Sequence, residues 1–117
     1  MPRDTRLYLS DIVDAIQAIE TYISDITFEQ FAADRKTVDA VVRNLEVIGE
    51  AAGKLTQVEN STMPEIDWRK IVAMRNILAH EYFGVSKTIV WDVAKNHLPN
   101  LLKVCRHTLD QQGQTPK

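Results

Sequence analysis

Apolar residues recur along this chain at intervals of three and four, which is the period of one face of an α-helix. Four such stripes predict helices over residues 5–25, over residues 36–56, from an N-cap at Asp67 to a C-terminal stop at Gly84, and from an N-cap at Ser86 to Leu109. The strict alternation that marks a half-buried strand is absent from the sequence. The pattern therefore predicts an all-α fold, an up-and-down bundle of four main helices.

Capping residues and a proline refine this picture. Asp4 or Thr5 is the expected N-cap of the first helix. Thr27 and Gln30 have the spacing of a capping box, which predicts a short helical turn between the first two helices. Pro99 lies inside the fourth stripe, and because proline lacks the N–H that an α-helix needs, we expect the last helix to be kinked near this residue.

Two glycines, Gly49 and Gly53, lie one turn apart within the second predicted helix. Each costs helix stability, on the order of 1 kcal/mol relative to alanine. The pair suggests that another helix approaches the backbone closely there, although a tolerated defect is the alternative.

Composition limits the class of protein. The chain has 117 residues and is 44% hydrophobic, which predicts a single domain over residues 1–112 followed by a frayed tail over residues 113–117. Its only cysteine, Cys105, excludes a disulfide framework and a cysteine-based zinc site. No signal peptide or membrane-length apolar run is apparent, so we expect a cytoplasmic protein that does not bind membranes. Cys105, Ile89 and Tyr22 are all expected to be packing residues.

The formal net charge of −2 excludes a globally basic coat for nucleic acid, but it conceals an asymmetry. Residues 1–67 carry six Lys or Arg and 13 Asp or Glu, whereas residues 68–117 carry eight and three. Two interpretations follow: either the two parts serve partners of opposite charge, or they attract each other within the fold or across a dimer.

The third predicted helix carries the strongest candidate chemistry, because Arg75, Asn76 and His80 lie close together near its end. Asn76 and His80 share a face, whereas Arg75 lies about 140° from His80 around the axis. A histidine can exchange protons near neutral pH, and an arginine can grip a phosphate through two hydrogen bonds. Together these groups suit RNA cleavage without a metal. An Arg and a His at this spacing also occur by chance, and a helix C-terminus favours a histidine for its dipole alone.

The same residues carry a resemblance to a known family. Residues 75–82 read RNILAHEY, the R-x-x-x-x-H-x-Y motif of the HEPN superfamily. Residues 43–52, RNLEVIGEAA, and residues 68–71, WRKI, resemble flanking blocks of its HepT-like branch. The segment 82–85, YFGV, and the later LPNL at residues 98–101 also match, so the resemblance covers nearly the whole chain.

The resemblance implies a homodimeric helical bundle in which the motifs of both chains line a shared cleft. It implies a toxin of a type VII toxin–antitoxin pair that cleaves RNA as a metal-independent endoribonuclease and needs no cofactor. Arg75 and His80 match the catalytic pair, Asn76 matches a polar auxiliary position, and Tyr82 matches a tyrosine that receives AMP. The implied antitoxin is a minimal nucleotidyltransferase, which silences the toxin by that transfer or by complex formation.

A second hypothesis belongs to a different class. Some superfamily members use the fold for binding or regulation, and under this hypothesis the chain is a non-catalytic helical module that binds a minimal nucleotidyltransferase. Arg75 separates the two hypotheses, because only the ribonuclease depends on its charge for activity.

Overall fold

The computed structural model describes residues 3–55, 60–80 and 86–113. Its helices, in chain order, are α1 (Arg3–Ile23), α2 (Phe28–Ala33), α3 (Arg35–Gly53), α4 (Trp68–His80), α5 (Lys87–Asp92) and α6 (Leu98–Gly113). A π-helical turn, Val93–His97, joins α5 to α6, so that these three segments form one long helix. No strand occurs in the described ranges, and the predicted all-α bundle is confirmed. The expected frayed tail lies outside the described residues, except for Gly113 at the end of α6.

The core lies where α1 packs against α3 and α6, while α4 packs against α3. The side chains that are fully buried in this core include Ile12, Ile16, Ile19, Leu45, Ile48 and Cys105. Burying one large aliphatic side chain contributes about 1.5–3 kcal/mol relative to leaving it in water. Because α3 contacts both α1 and α4, it is the helix that supports α4 against the core. Within the described residues, no helix is long and apolar enough to cross a membrane.

The N-terminal ends of the helices show which of the predicted N-caps form. The Gln30 backbone N–H donates to the Thr27 hydroxyl at 3.1 Å and the Thr27 N–H donates to Gln30 Oε1 at 2.9 Å, so the capping box is confirmed. The predicted N-cap of α1 is wrong, because the helix begins at Arg3 and both Asp4 and Thr5 lie inside it. Thr5 is buried, which places it on the packed face of α1 instead of at its end.

The predicted irregularity before Pro99 takes the form of the π-helical turn. The Leu98 N–H donates to the carbonyl of Val93, five residues back, instead of four. Pro99 has no N–H to donate, and in a regular α-helix its ring would clash with the carbonyl of Lys95. The wider π turn lets the helix pass this proline, as π-bulges do within α-helices.

Two residues that were expected to pack are exposed. Tyr22 is 42% exposed and Ile89 is 64% exposed. Each directly precedes a buried residue, Ile23 or Val90. Successive residues of a helix are separated by about 100°, and Tyr22 and Ile89 lie outside the packed face that the residue after each of them occupies. The expectation that Cys105 packs in the core is confirmed.

An aromatic cluster fixes α5 against α2. The ring of Trp91 lies 5.1 Å from that of Phe31 and 6.0 Å from that of Phe28, measured between centroids. The Lys87 ammonium group also donates a hydrogen bond of 3.0 Å to the carbonyl of Ala32, at the end of α2. These contacts hold the start of α5, where the described chain resumes after the sequence motif.

Candidate active site

The helix that carries most of the motif, α4, is fixed at its N-terminal end. The Lys70 backbone N–H donates to the Asp67 carboxylate at 3.3 Å, so Asp67 caps the helix as predicted. Trp68 is buried, and its indole N–H donates to the carbonyl of Met63 at 3.2 Å. Met63 is itself buried. These contacts restrain the rotation of α4 about its axis, and thereby the direction in which each motif residue leaves the helix.

Arg75 leaves α4 on the side that faces α3, directly over Gly49. A Cβ atom built on Gly49 would overlap the Cβ of Arg75 and would lie 3.0 Å from its Cγ. It would also lie 3.1 Å from the carbonyl oxygen of Ile71, one turn earlier on α4. Real Cβ contacts are essentially never closer than 3.0 Å. The predicted close approach of a second helix is therefore confirmed at Gly49, and the residue that approaches is the arginine of the motif.

Gly53 does not have this role. A Cβ atom there would meet only Cγ2 of Val72, at 3.9 Å, which is an ordinary van der Waals distance. Gly53 is also exposed, whereas Gly49 is buried. Of the two alternatives raised by the sequence, close approach describes Gly49 and a tolerated defect describes Gly53.

The Arg75 side chain is half-buried, and its Nε atom is shielded from solvent. No hydrogen-bond acceptor lies within reach of Nε among the described residues. A buried donor without an acceptor costs about 1–3 kcal/mol, and arginine remains charged at any physiological pH. Since Nε is out of reach of solvent, an incoming phosphate would have to be held through Nη1 and Nη2.

The other motif residues are described to different extents. Asn76 is exposed and lies about 100° around the axis of α4 from Arg75. His80 is the last residue of α4, and its backbone position shares the face of Asn76, as predicted. The side chain of His80 and the whole of Tyr82 lie outside the described part of the structure. The structure thus locates Arg75 and Asn76, and leaves the assignments to His80 and Tyr82 as predictions.

The exposed surface of α4 is positively charged. Arg69 and Lys70 are both exposed in its first turn, and the helix contains no acidic residue. Arg69 falls on the face of Asn76 and of the His80 backbone, because these positions lie within about 40° of one another around the axis. An anionic chain lying along this face would meet cationic groups before it reached the end of the helix. In the ranges that the structure describes, no three His, Cys, Asp or Glu side chains are grouped so that they could hold a metal ion.

Sequence reasoning identified the two glycines but not the partner of Gly49. The signal was present, since a glycine inside a long amphipathic helix is costly and calls for a packing reason. What periodicity cannot supply is the register of α4 on α3, which decides that Arg75, and not a neighbouring residue, lies over Gly49.

Comparison with known proteins identifies the family to which this chain is similar. The family model described as "Ribonuclease HepT-like" matches residues 12–108. A Thermococcus cleftensis protein named "Probable ribonuclease HepT" is 43% identical over 101 residues, which cover 86% of this chain and 92% of that protein. A Methanocaldococcus jannaschii protein provisionally named an RNase is 39% identical over 104 residues, covering 88% and 86% of the two chains.

A third relative, from Caldanaerobacter subterraneus subsp. tengcongensis and also provisionally named an RNase, is 34% identical over 107 residues. These residues cover 92% of this chain and 96% of that protein. The comparison with solved structures gave no match. Because the family model spans most of the helical bundle, including α4 and Gly49, the chain belongs to the HepT-like ribonuclease family.

Proposed function

We propose that this protein is a metal-independent endoribonuclease that cleaves RNA with Arg75 and His80. The observation that carries the proposal is the placement of Arg75. Its Cβ and Cγ atoms lie against Gly49, and its buried Nε has no hydrogen-bond acceptor among the described residues. The chain that carries this arginine belongs to the HepT-like ribonuclease family. The two terminal nitrogens of a guanidinium held in this way are suited to binding a phosphate group.

The chemistry follows from the groups available. His80 takes the proton of a ribose 2′-hydroxyl, and the 2′-oxygen then attacks the adjacent phosphorus. The bond to the 5′-oxygen breaks, and a protonated imidazole returns a proton to that leaving oxygen. Arg75 stabilises the negative charge that develops on the phosphoryl oxygens, and Asn76 contributes a neutral hydrogen-bond donor. The products are a 2′,3′-cyclic phosphate and a 5′-hydroxyl.

A homodimer is part of this proposal. Arg75 lies on the α3-facing side of α4, about 140° from His80 around the axis, so a single helix does not direct both groups at the same point. Two copies of α4 related by a twofold axis would bring Arg and His from both chains into one cleft. The asymmetric charge of the chain, acidic to residue 67 and basic afterwards, is compatible with such pairing.

We place this activity in a type VII toxin–antitoxin system in the cytoplasm, where a minimal nucleotidyltransferase is the antitoxin. In the silencing reaction the Tyr82 oxygen attacks the α-phosphorus of ATP, pyrophosphate leaves, and the phenolic proton passes to solvent. The AMP that remains adds negative charge and bulk two residues from His80, where an RNA backbone must lie. Binding of the antitoxin without AMP transfer is the other form of silencing.

The test is cleavage of RNA by the purified protein in EDTA, compared with the His80→Ala and Arg75→Ala variants. We expect the wild type to cleave and each variant to lose activity by about 100-fold or more, as when one charge-stabilising group is removed. Full cleavage by His80→Ala would exclude it as the proton-transfer group.

The toxin assignment needs a second experiment, namely expression of the wild type and the two variants in cells with and without the candidate nucleotidyltransferase. Growth arrest that requires both Arg75 and His80 and is relieved by the nucleotidyltransferase would support it. Mass spectrometry of Tyr82 after incubation with that protein and ATP distinguishes AMP transfer from inhibition by binding. A stable complex without toxicity or cleavage would instead identify a non-catalytic binding module.

A further inference from the structure

We propose that Gly49 is a positioning residue for the guanidinium of Arg75. The missing side chain at Gly49 sets how closely α4 lies on α3, and this distance sets where the terminal nitrogens of Arg75 stand. The inference rests on the proposed catalytic role of Arg75, and it adds a residue outside the R-x-x-x-x-H-x-Y motif to the machinery of the site.

The atoms that Gly49 accommodates cannot move aside. They are Cβ and Cγ of Arg75 and the backbone oxygen of Ile71. Cβ and a helical carbonyl are fixed by the backbone itself, unlike the tip of a flexible side chain. A methyl group at Gly49 therefore has to displace α4 as a body, or to bend α3, before the overlap with Arg75 is relieved.

A displacement of α4 would also displace the guanidinium of Arg75. An arginine on a surface can compensate for a backbone shift by changing its rotamer, but the Cβ of Arg75 lies against Gly49 and its Nε is buried. Only Nη1 and Nη2 remain for a phosphate, and the buried Nε limits the positions that they can take. A shift of α4 by about 1 Å is the scale of misplacement that can reduce a catalysed rate by about 100-fold.

Gly53 supplies a matched control on the same helix. A Gly→Ala change favours the helix at both positions, by about 1 kcal/mol in the interior where Gly49 lies and by less at Gly53, the last residue of α3. At Gly53 the new methyl group meets only Val72 Cγ2 at an ordinary 3.9 Å, whereas at Gly49 it overlaps Arg75. Because helix propensity favours alanine at least as much at Gly49 as at Gly53, a loss that is seen only in Gly49→Ala reports the contact with α4 and not the loss of a glycine.

The experiment measures kcat and KM for cleavage of an RNA oligonucleotide by the wild type, Gly49→Ala and Gly53→Ala. We expect kcat of Gly49→Ala to fall by about 100-fold with KM nearly unchanged, and Gly53→Ala to keep the wild-type constants. A purely structural defect would lower the active fraction and would be seen as a loss of folded protein by circular dichroism. Wild-type kcat in folded Gly49→Ala would overturn the proposal.

The double variant Gly49→Ala/Arg75→Ala shows whether the effect passes through the guanidinium. Arg75→Ala keeps the Cβ, so α4 is still displaced, but the guanidinium is gone. We expect Gly49→Ala to cause no further loss on this background, since two changes that act through one group are not additive. A second loss of about 100-fold would show that Gly49 acts through other parts of α4.

Failure of this inference and failure of the proposed function give different results. If Arg75→Ala alone cleaves as well as the wild type, the catalytic assignment of Arg75 fails and the positioning role fails with it. If Arg75→Ala is inactive and folded Gly49→Ala is fully active, only the positioning role fails. If Gly49→Ala does not fold, it is measured in the Gly53→Ala background, and failure to fold there as well would make Gly49 a packing requirement of the bundle instead.

A second readout is independent of activity. The Nε atom of Arg75 is shielded from solvent, so we expect its proton to exchange slowly. We expect its NMR resonance to persist in Gly53→Ala and to shift or broaden by exchange in Gly49→Ala. An unchanged resonance in Gly49→Ala would mean that the stem of Arg75 has not moved.

Discussion

Gly49 and Arg75 meet at the point where α3 supports α4, so that the backbone of one helix lies against the Cβ of the other. The sequence separates these residues by a helix end and a connecting segment, yet the fold makes them direct neighbours. Gly49, on α3, is therefore in direct contact with a residue of the motif on α4.

The substitution Gly53→Ala is expected to stabilise the protein. Alanine is favoured over glycine by about 0.5–1 kcal/mol in the middle of a helix and by less at the last helical residue, which Gly53 is. The new methyl group makes an ordinary contact with Val72 and overlaps nothing. The measurement is urea denaturation followed by circular dichroism. The same change at Gly49 should lower the free energy of unfolding, and equal effects at the two positions would contradict the account of the contact.

Much of the fold follows from the sequence because its signals are local. The capping box at Thr27 and Gln30, and the caps at Asp67 and Ser86, each depend on residues three apart, and each is found where expected. The irregularity before Pro99 is equally local, since it follows from one missing N–H.

What the sequence could not supply depends on the placement of whole helices. The exposure of Ile89 and Tyr22 is decided by which side of each helix faces its neighbours, and an apolar residue at the edge of a stripe can fall on either side. For the candidate site, the motif identified Arg75 and Asn76. The burial of Arg75 Nε and the contact of Arg75 with Gly49 arise from the register of α4 on α3, which the motif does not contain.

Replacement of Trp68 tests the anchoring of α4. Trp68→Phe keeps an aromatic ring in the buried site but removes the hydrogen bond to the Met63 carbonyl. That carbonyl also accepts from the Ile66 N–H at 3.3 Å, so it does not lose every partner, and we expect a loss of about 1 kcal/mol. Trp68→Ala removes the ring as well and should cost about 3–5 kcal/mol. Urea denaturation of both variants gives these values, and equal losses would mean that the ring contributes nothing beyond the bond.

The buried thiol predicts how stability depends on pH. Burial raises the pKa of Cys105 from 9.0 to about 12. Because the pKa is higher in the folded than in the unfolded state, the stability linked to this group is fully present below pH 9 and is lost as the pH rises towards 12. The loss approaches about 1.4 kcal/mol per pH unit within that window.

The control for this effect is Cys105→Ala, which has no thiol to titrate. Because the cavity left by alanine lowers stability at every pH, the quantity compared is the slope of the unfolding free energy between pH 8 and pH 10. We expect a steeper decline for the wild type. Iodoacetamide should also fail to modify Cys105 in the native protein at pH 8 and should modify it in urea, whereas rapid native alkylation would contradict the burial.

The cationic first turn of α4 gives a prediction about RNA binding that does not depend on cleavage. Arg69 and Lys70 are exposed on a helix without acidic residues, and Arg69 shares the face of Asn76. If the RNA backbone follows this face, each cation that pairs with a phosphate releases counterions from the RNA. Removing one such contact should therefore reduce the slope of log Kd against the logarithm of the salt concentration by about 0.7. Arg69→Ala should therefore weaken binding of a non-cleavable 2′-deoxy oligonucleotide and flatten its salt dependence.

Lys103→Ala, on α6, is the matched control, because Lys103 is an exposed cation on a helix that packs against α1. Equal slopes for the two variants would mean that RNA approaches His80 by a path that does not include the start of α4.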